Sequence, residues 1–114
     1  MRRPSVHLDT SVISALFDER TPERQTLTEE FWEKIQDYDA YLSEITEKEM
    51  EAASETLREK MTQVTKDFRI LRITEEVESL ADEYIKQGVF PERYRNDALH
   101  VSVATVNGIK YLLS

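Results

Sequence analysis

Strand-like and helix-like segments alternate along the whole chain, and that alternation restricts the fold more than any other feature. Four short apolar stretches, at 5–9, 39–44, 69–73 and 109–113, are separated by segments whose apolar residues recur every three or four positions. Antiparallel neighbours can be joined by a tight turn, whereas parallel strands need a long crossover, usually a helix. The pattern therefore predicts an α/β domain with a largely parallel sheet and right-handed crossovers. A chain of 114 residues suits one domain, with a core large enough to fold without disulfides.

The helical segments carry their own punctuation. Thr10-Ser11 offers capping hydroxyls ahead of a short apolar helix from Val12 to Phe17. Thr21-Pro22 begins the next helix, with Leu27, Phe31 and Ile35 as its apolar stripe. Thr46 and Glu49 have the spacing of a capping box. Met50, Ala53, Leu57, Met61 and Val64 continue a helical stripe toward Asp67, as one helix or as two with a break near Ser54. Thr74 caps a helix bearing Val77, Leu80, Ala81, Tyr84 and Ile85 on one face, and Gly88 stops it. Asn96 is the expected cap of a last helix, apolar nearly all round and hence buried, which Asn107-Gly108 ends.

Composition removes whole classes of chemistry. There is no cysteine, so no disulfide, thiolate metal site or cysteine nucleophile can form. Two histidines cannot make a three-histidine zinc site, and His7 and His100 do not form an HExxH motif. Two glycines cannot write a P-loop or GxGxxG. No apolar run approaches the ~20 residues of a membrane helix, and the Met1-Arg2-Arg3-Pro4 start leads into a strand pattern, so a soluble cytoplasmic protein is expected. The net charge is -8, and it is concentrated: residues 1–57 hold 6 basic and 14 acidic side chains, residues 58–114 hold 9 of each. Such a surface is consistent with simple solubility, and it repels phosphate, so nucleic-acid chemistry here would need metal cations to offset the field.

In open α/β sheets, sites form beyond the carboxyl ends of the strands. Asp9 closes the first strand, where it serves either as a helix cap or as a metal ligand. Glu49 is explained by the capping box alone, yet it also follows the second strand. Asp97 opens the buried last helix, where the helix dipole by itself favours an anion. His100 lies one turn on, as a hydrogen-bonded core residue or a ligand. Glu44, Glu47, Glu51 and Glu55 read as a solvated acidic face. Taken together, Asp9, Glu49 and Asp97 all sit where a strand ends or a helix begins. Carboxylate oxygens in that arrangement suit Mg²⁺ or Mn²⁺ and metal-assisted phosphodiester hydrolysis.

Three segments and their order resemble the PIN domain family. Val6-His7-Leu8-Asp9-Thr10-Ser11-Val12-Ile13 resembles its opening, Ser43-Glu44-Ile45-Thr46-Glu47-Lys48-Glu49-Met50 its second motif, and Asn96-Asp97-Ala98-Leu99-His100-Val101-Ser102-Val103-Ala104 its third, followed by the strand Ile109 to Leu113. The similarity runs the length of the chain and is nearest in flavour to the small ribonuclease toxins of bacterial toxin–antitoxin pairs. It implies a Rossmann-like PIN fold, a mainly parallel four-stranded sheet flanked by helices, over a single domain at 1–114. It assigns acidic metal-ligand and catalytic roles to Asp9, Glu49 and Asp97, a supporting polar role to Ser11, and no catalytic role to His100. Family members usually continue past the fourth strand with another polar residue, a helix and a fifth strand. Ending at Ser114, the chain is expected to be C-terminally incomplete, to lack the usual last strand and to expose a strand edge that invites association.

The function so implied is Mg²⁺- or Mn²⁺-dependent endoribonuclease activity, weakened by the short C-terminus, with RNA as substrate and Lys48, Arg93 and Arg95 as the basic side chains nearest the motifs. The alternative is a catalytically inactive PIN-like module that docks an antitoxin or a second copy of itself as a homodimer. A phospho-accepting receiver domain needs an aspartate at the third strand end, where the chain has Arg72-Ile73-Thr74. A Ser5–His7–Asp9 hydrolase fails because alternate residues of one strand lie ~6–7 Å apart, too far for a proton relay.

Overall fold

The computed structural model describes residues 3–113. Four strands form one sheet: β1 (Ser5–Leu8), β2 (Asp39–Ser43), β3 (Arg69–Leu71) and β4 (Tyr111–Leu113). Every pairing among them is parallel, and the order across the sheet is β3-β2-β1-β4. Six helices connect them: α1 (Thr10–Ala15), α2 (Pro22–Glu33), α3 (Glu44–Glu51), α4 (Glu55–Thr65), α5 (Glu75–Lys86) and α6 (Arg95–Val106).

The strand order explains where a site can form. The chain steps outward from β1 to β2 to β3 and then returns to lay β4 on the other side of β1. With right-handed crossovers, that reversal sends the first four helices to one face of the sheet and α5 and α6 to the other. The connections at β1 and β4 therefore lie on opposite faces, and the carboxyl end of this strand pair is the switch point at which such sheets bind ligands. Asp9 sits at this point, and its backbone amide is tied to the Leu113 carbonyl at 3.0 Å.

The two faces bury different residues. Under α1–α4, Val6, Leu8 and Leu42 meet Ile13, Met50 and Met61, with Phe31, Trp32, Tyr38 and Phe68 packed around them. On the other side, Val77 and Ala81 of α5 interlock with Ala98, Leu99 and Val103 of α6, joined by Ile45. Strand alternation explains the split within β1: Val6 and Leu8 point into the first cluster, and His7 points toward α6, its ring 5.3 Å from that of His100.

Several boundaries differ from the sequence expectation, each for a local reason. The capping box at Thr46 does not form. The helix begins at Glu44, directly after β2, because Ser43 is the cap and accepts from the Thr46 amide at 3.4 Å. Thr46 is fully buried, and its hydroxyl donates to the Leu8 carbonyl at 3.3 Å, so it pins α3 to the end of β1. The break near Ser54 is real: Ser54 caps α4, accepting from the Leu57 amide. Asn96 is not a cap, since a 3-10 turn over Glu92–Tyr94 runs straight into α6. The third strand stops at Leu71, and the fourth starts at Tyr111 rather than Ile109. Leu27 of the expected stripe is 67% exposed, because α2 covers the core through Phe31 and Trp32. Gly88 and Gly108 have φ +78° and +65°. Each follows a helix whose end is closed by a backbone bond from the next residue, Val89 to Tyr84 and Ile109 to Ala104.

Candidate metal centre

Two carboxylates 40 residues apart in sequence meet at the switch point. Asp9 occupies the N-cap position of α1, but its side chain makes no capping bond. Its Oδ1 lies 3.4 Å from His100 Nε2 instead. Glu49, in the second turn of α3, does not reach back to Thr46. Its Oε1 accepts from the Thr10 hydroxyl at 3.1 Å and lies 3.0 Å from the same His100 nitrogen. One ligating atom from each of Asp9, Glu49 and His100 falls within 4.8 Å of the other two. Short junctions produce this convergence: β1 passes into α1 through Asp9 alone, and β2 into α3 with no loop.

Asp97 stands beside this group rather than in it. It lies in the first turn of α6, three residues before His100 and on the same face. With Asp9, His100, Phe90, Val101 and Leu112 it lines a cavity of about 260 Å³. Glu49 also borders a larger depression of about 550 Å³, shared with Lys48 and Asn96. Ser11 is in the first turn of α1, where its carbonyl accepts from the Ser14 hydroxyl and from Arg24. Of the basic side chains near the motifs, Arg95 is bonded to Asp82, and Arg93 lies over the Tyr94 ring. Lys48 faces the depression beside Glu49.

Sequence reasoning missed one contributor and left another open. Thr10, read as a cap, in fact holds Glu49. His100, read as a hydrogen-bonded core residue or a ligand and given no catalytic role, has the Nε2 that faces both carboxylates. Its placement three residues after Asp97 was the available signal, because that spacing stacks the two side chains on one helix face.

Behind the site lies a polar layer with unusual bonding. Both ring nitrogens of His7 and the Nδ1 of His100 are buried with no hydrogen-bond partner among the described residues. Burial, reinforced by the neighbouring His100 and opposed by Asp9, pushes the His7 pKa down to about 4. His7 is therefore neutral at neutral pH and does not repel a cation held by Asp9 and Glu49.

Two carboxylates and one imidazole, open on one side to a cavity, form a donor set that fits a divalent cation. Over residues 6–114 the sequence matches the PIN domain family. The chain belongs to the PIN domain family. Among solved structures, it is similar in fold to a chain in the crystal structure of VapBC2 from Rickettsia felis bound to a DNA fragment from their promoter. That likeness has a TM-score of 0.63 at 13% sequence identity and covers 95% of this chain and 85% of the other. Comparison with curated proteins finds no match.

Proposed function

We propose that this PIN domain, a single unit over residues 1–114, is a divalent-metal-dependent endoribonuclease that hydrolyses phosphodiester bonds at the carboxyl edge of its sheet. The observation that carries this reading is the convergence of Asp9 and Glu49, from separate crossovers, at the switch point. Asp9 and Glu49 would hold the ion, with Asp97 on the cavity wall placed to bind its water ligands or to orient the attacking water. Bound there, Mg²⁺ or Mn²⁺ supplies Lewis acidity toward a phosphate oxygen and lowers the pKa of a coordinated water. Thr10 fixes the Glu49 carboxylate by its hydrogen bond, so that this ligand is oriented in advance. Lys48 lines the depression that Glu49 borders, where its charge would offset part of the acidic field toward an RNA backbone. Ser11, whose carbonyl accepts from Ser14 and Arg24, would support the site through the backbone of α1.

The test is cleavage of a fluorescent single-stranded RNA in Mn²⁺ and in EDTA. Cleavage that requires metal and disappears in Asp9→Asn and Glu49→Gln supports the proposal; equal turnover in EDTA contradicts it.

The VapBC2 likeness and the exposed Leu27 favour a second role alongside the first. Leu27, Val12, Phe31 and Leu113 line a groove of about 240 Å³ beside β4. This groove is a candidate seat for an antitoxin segment in a cytoplasmic toxin–antitoxin pair. No helix among the described residues is long and apolar enough to cross a membrane.

A further inference from the structure

His100 is the least explained side chain of the candidate metal centre. Its side chain is 4% exposed, and its Nε2 faces two carboxylate oxygens, at 3.0 and 3.4 Å. A nitrogen so placed shares either a proton or a cation with those oxygens. We propose that His100 Nε2 is a metal ligand alongside Asp9 and Glu49, and that this mixed nitrogen–oxygen site selects Mn²⁺ and the later first-row dications over Mg²⁺. The inference rests on the metal-centre reading above and specifies which class of ion the site takes.

Spacing is the first argument. Donors on adjacent corners around an ion with ~2.1 Å bonds lie about 3.0 Å apart, and around a tetrahedral ion slightly farther. The observed separations of 3.0 and 3.4 Å match those edges. The second argument is that nothing else engages this nitrogen's ring. Among the described residues Nδ1 is buried without a partner, so the two carboxylates at Nε2 are the ring's polar contacts, and an ion there would replace the proton that Glu49 accepts, with the ring's proton carried on Nδ1. Third, His100 lines the same cavity as Asp9 and Asp97, and its side chain is nearly buried. A cation there would have the imidazole behind it and room in front for water and a phosphate oxygen.

Donor chemistry gives the selectivity. Mg²⁺ takes oxygen ligands and holds its waters strongly, whereas imidazole suits transition dications, whose affinities rise from Mn²⁺ through the series. Replacing His100 by an oxygen donor should therefore narrow the preference.

The experiment is pulsed EPR on the Mn²⁺-loaded protein, with Mn²⁺ and Mg²⁺ affinities measured in parallel by competition. The chain contains only two histidines, so a directly bound imidazole nitrogen can be assigned. The parent protein should show ¹⁴N modulation, and His7→Leu should retain it. His100→Gln should lose it, with Mn²⁺ affinity falling about 10–100-fold, the range seen even for outer partners of a ligand. Mg²⁺ affinity should change much less. Saturable Mn²⁺ binding without ¹⁴N modulation in the parent overturns the assignment of His100 and leaves the two-carboxylate centre standing. Absence of any saturable Mn²⁺ binding overturns both. The parent spectrum alone decides the point should His100→Gln fail to fold.

Discussion

The two faces of β1 are built on opposite terms. Val6 and Leu8 sink their side chains into an apolar cluster with Ile13, Leu42, Met50 and Met61, and those side chains contribute through burial. His7, between them in sequence, is equally buried on the other face, with neither ring nitrogen bonded among the described residues. One face of a single strand therefore stabilises the domain, while the other carries a stability cost next to the candidate metal centre. Unsatisfied polar groups of this kind are tolerated mainly where function retains them.

The largest effect should come from the apolar face. Leu8 is fully buried at the centre of its cluster, so Leu8→Ala should destabilise by about 2–5 kcal/mol, measured by urea unfolding. A loss below ~1 kcal/mol would mean that this face is less closely packed than described.

The opposite face should respond to pH. His7 has a folded pKa of about 4 against 6.5 for the unfolded chain, so the unfolded state binds the extra proton between these values. Stability from a neutral buried His7 is complete above about pH 6.5 and is lost as the pH falls toward 4, by roughly 3 kcal/mol in all. His7→Leu should remove that slope and raise stability at pH 5, because an apolar side chain leaves no unpaired group. Unfolding curves of parent and variant at pH 5 and pH 7 check this; parallel pH profiles would contradict it.

Metal should narrow the difference between the two faces. An ion that binds only the folded state adds ~2.7 kcal/mol at a hundredfold excess over its Kd. Mn²⁺ should raise the melting temperature of the parent and do little for Asp9→Asn. At the small end, Thr10→Val removes one hydrogen bond to Glu49 and should cost about 1 kcal/mol while weakening Mn²⁺ binding. Leu27→Gln, on the exposed face of α2, should stay within ~0.5 kcal/mol of the parent.

The same contrast explains what the sequence could reveal. Period-two and period-3.6 patterns report burial, so the four strands, the parallel sheet and the buried α6 were legible, as was the order of the motif acids. Capping signals are shorter and compete with one another. Ser43 precedes Thr46 by three residues and took the cap, which released Thr46 into the core and let Glu49 turn toward Asp9. His100 was legible only as two alternatives, core residue or ligand, for a different reason. On an all-apolar helix a histidine looks like core, and only the meeting of β1, α3 and α6 in space gives its nitrogen two acidic neighbours.

The central claim is that Asp9 and Glu49 form one divalent-cation site at the β1–β4 switch point. Calorimetric titration of the metal-free protein with Mn²⁺ tests it most directly. The account predicts saturable binding of one ion per chain, lost in both Asp9→Asn and Glu49→Gln while each variant stays folded. Absence of saturable binding in the parent, or binding that survives both substitutions unchanged, would contradict it.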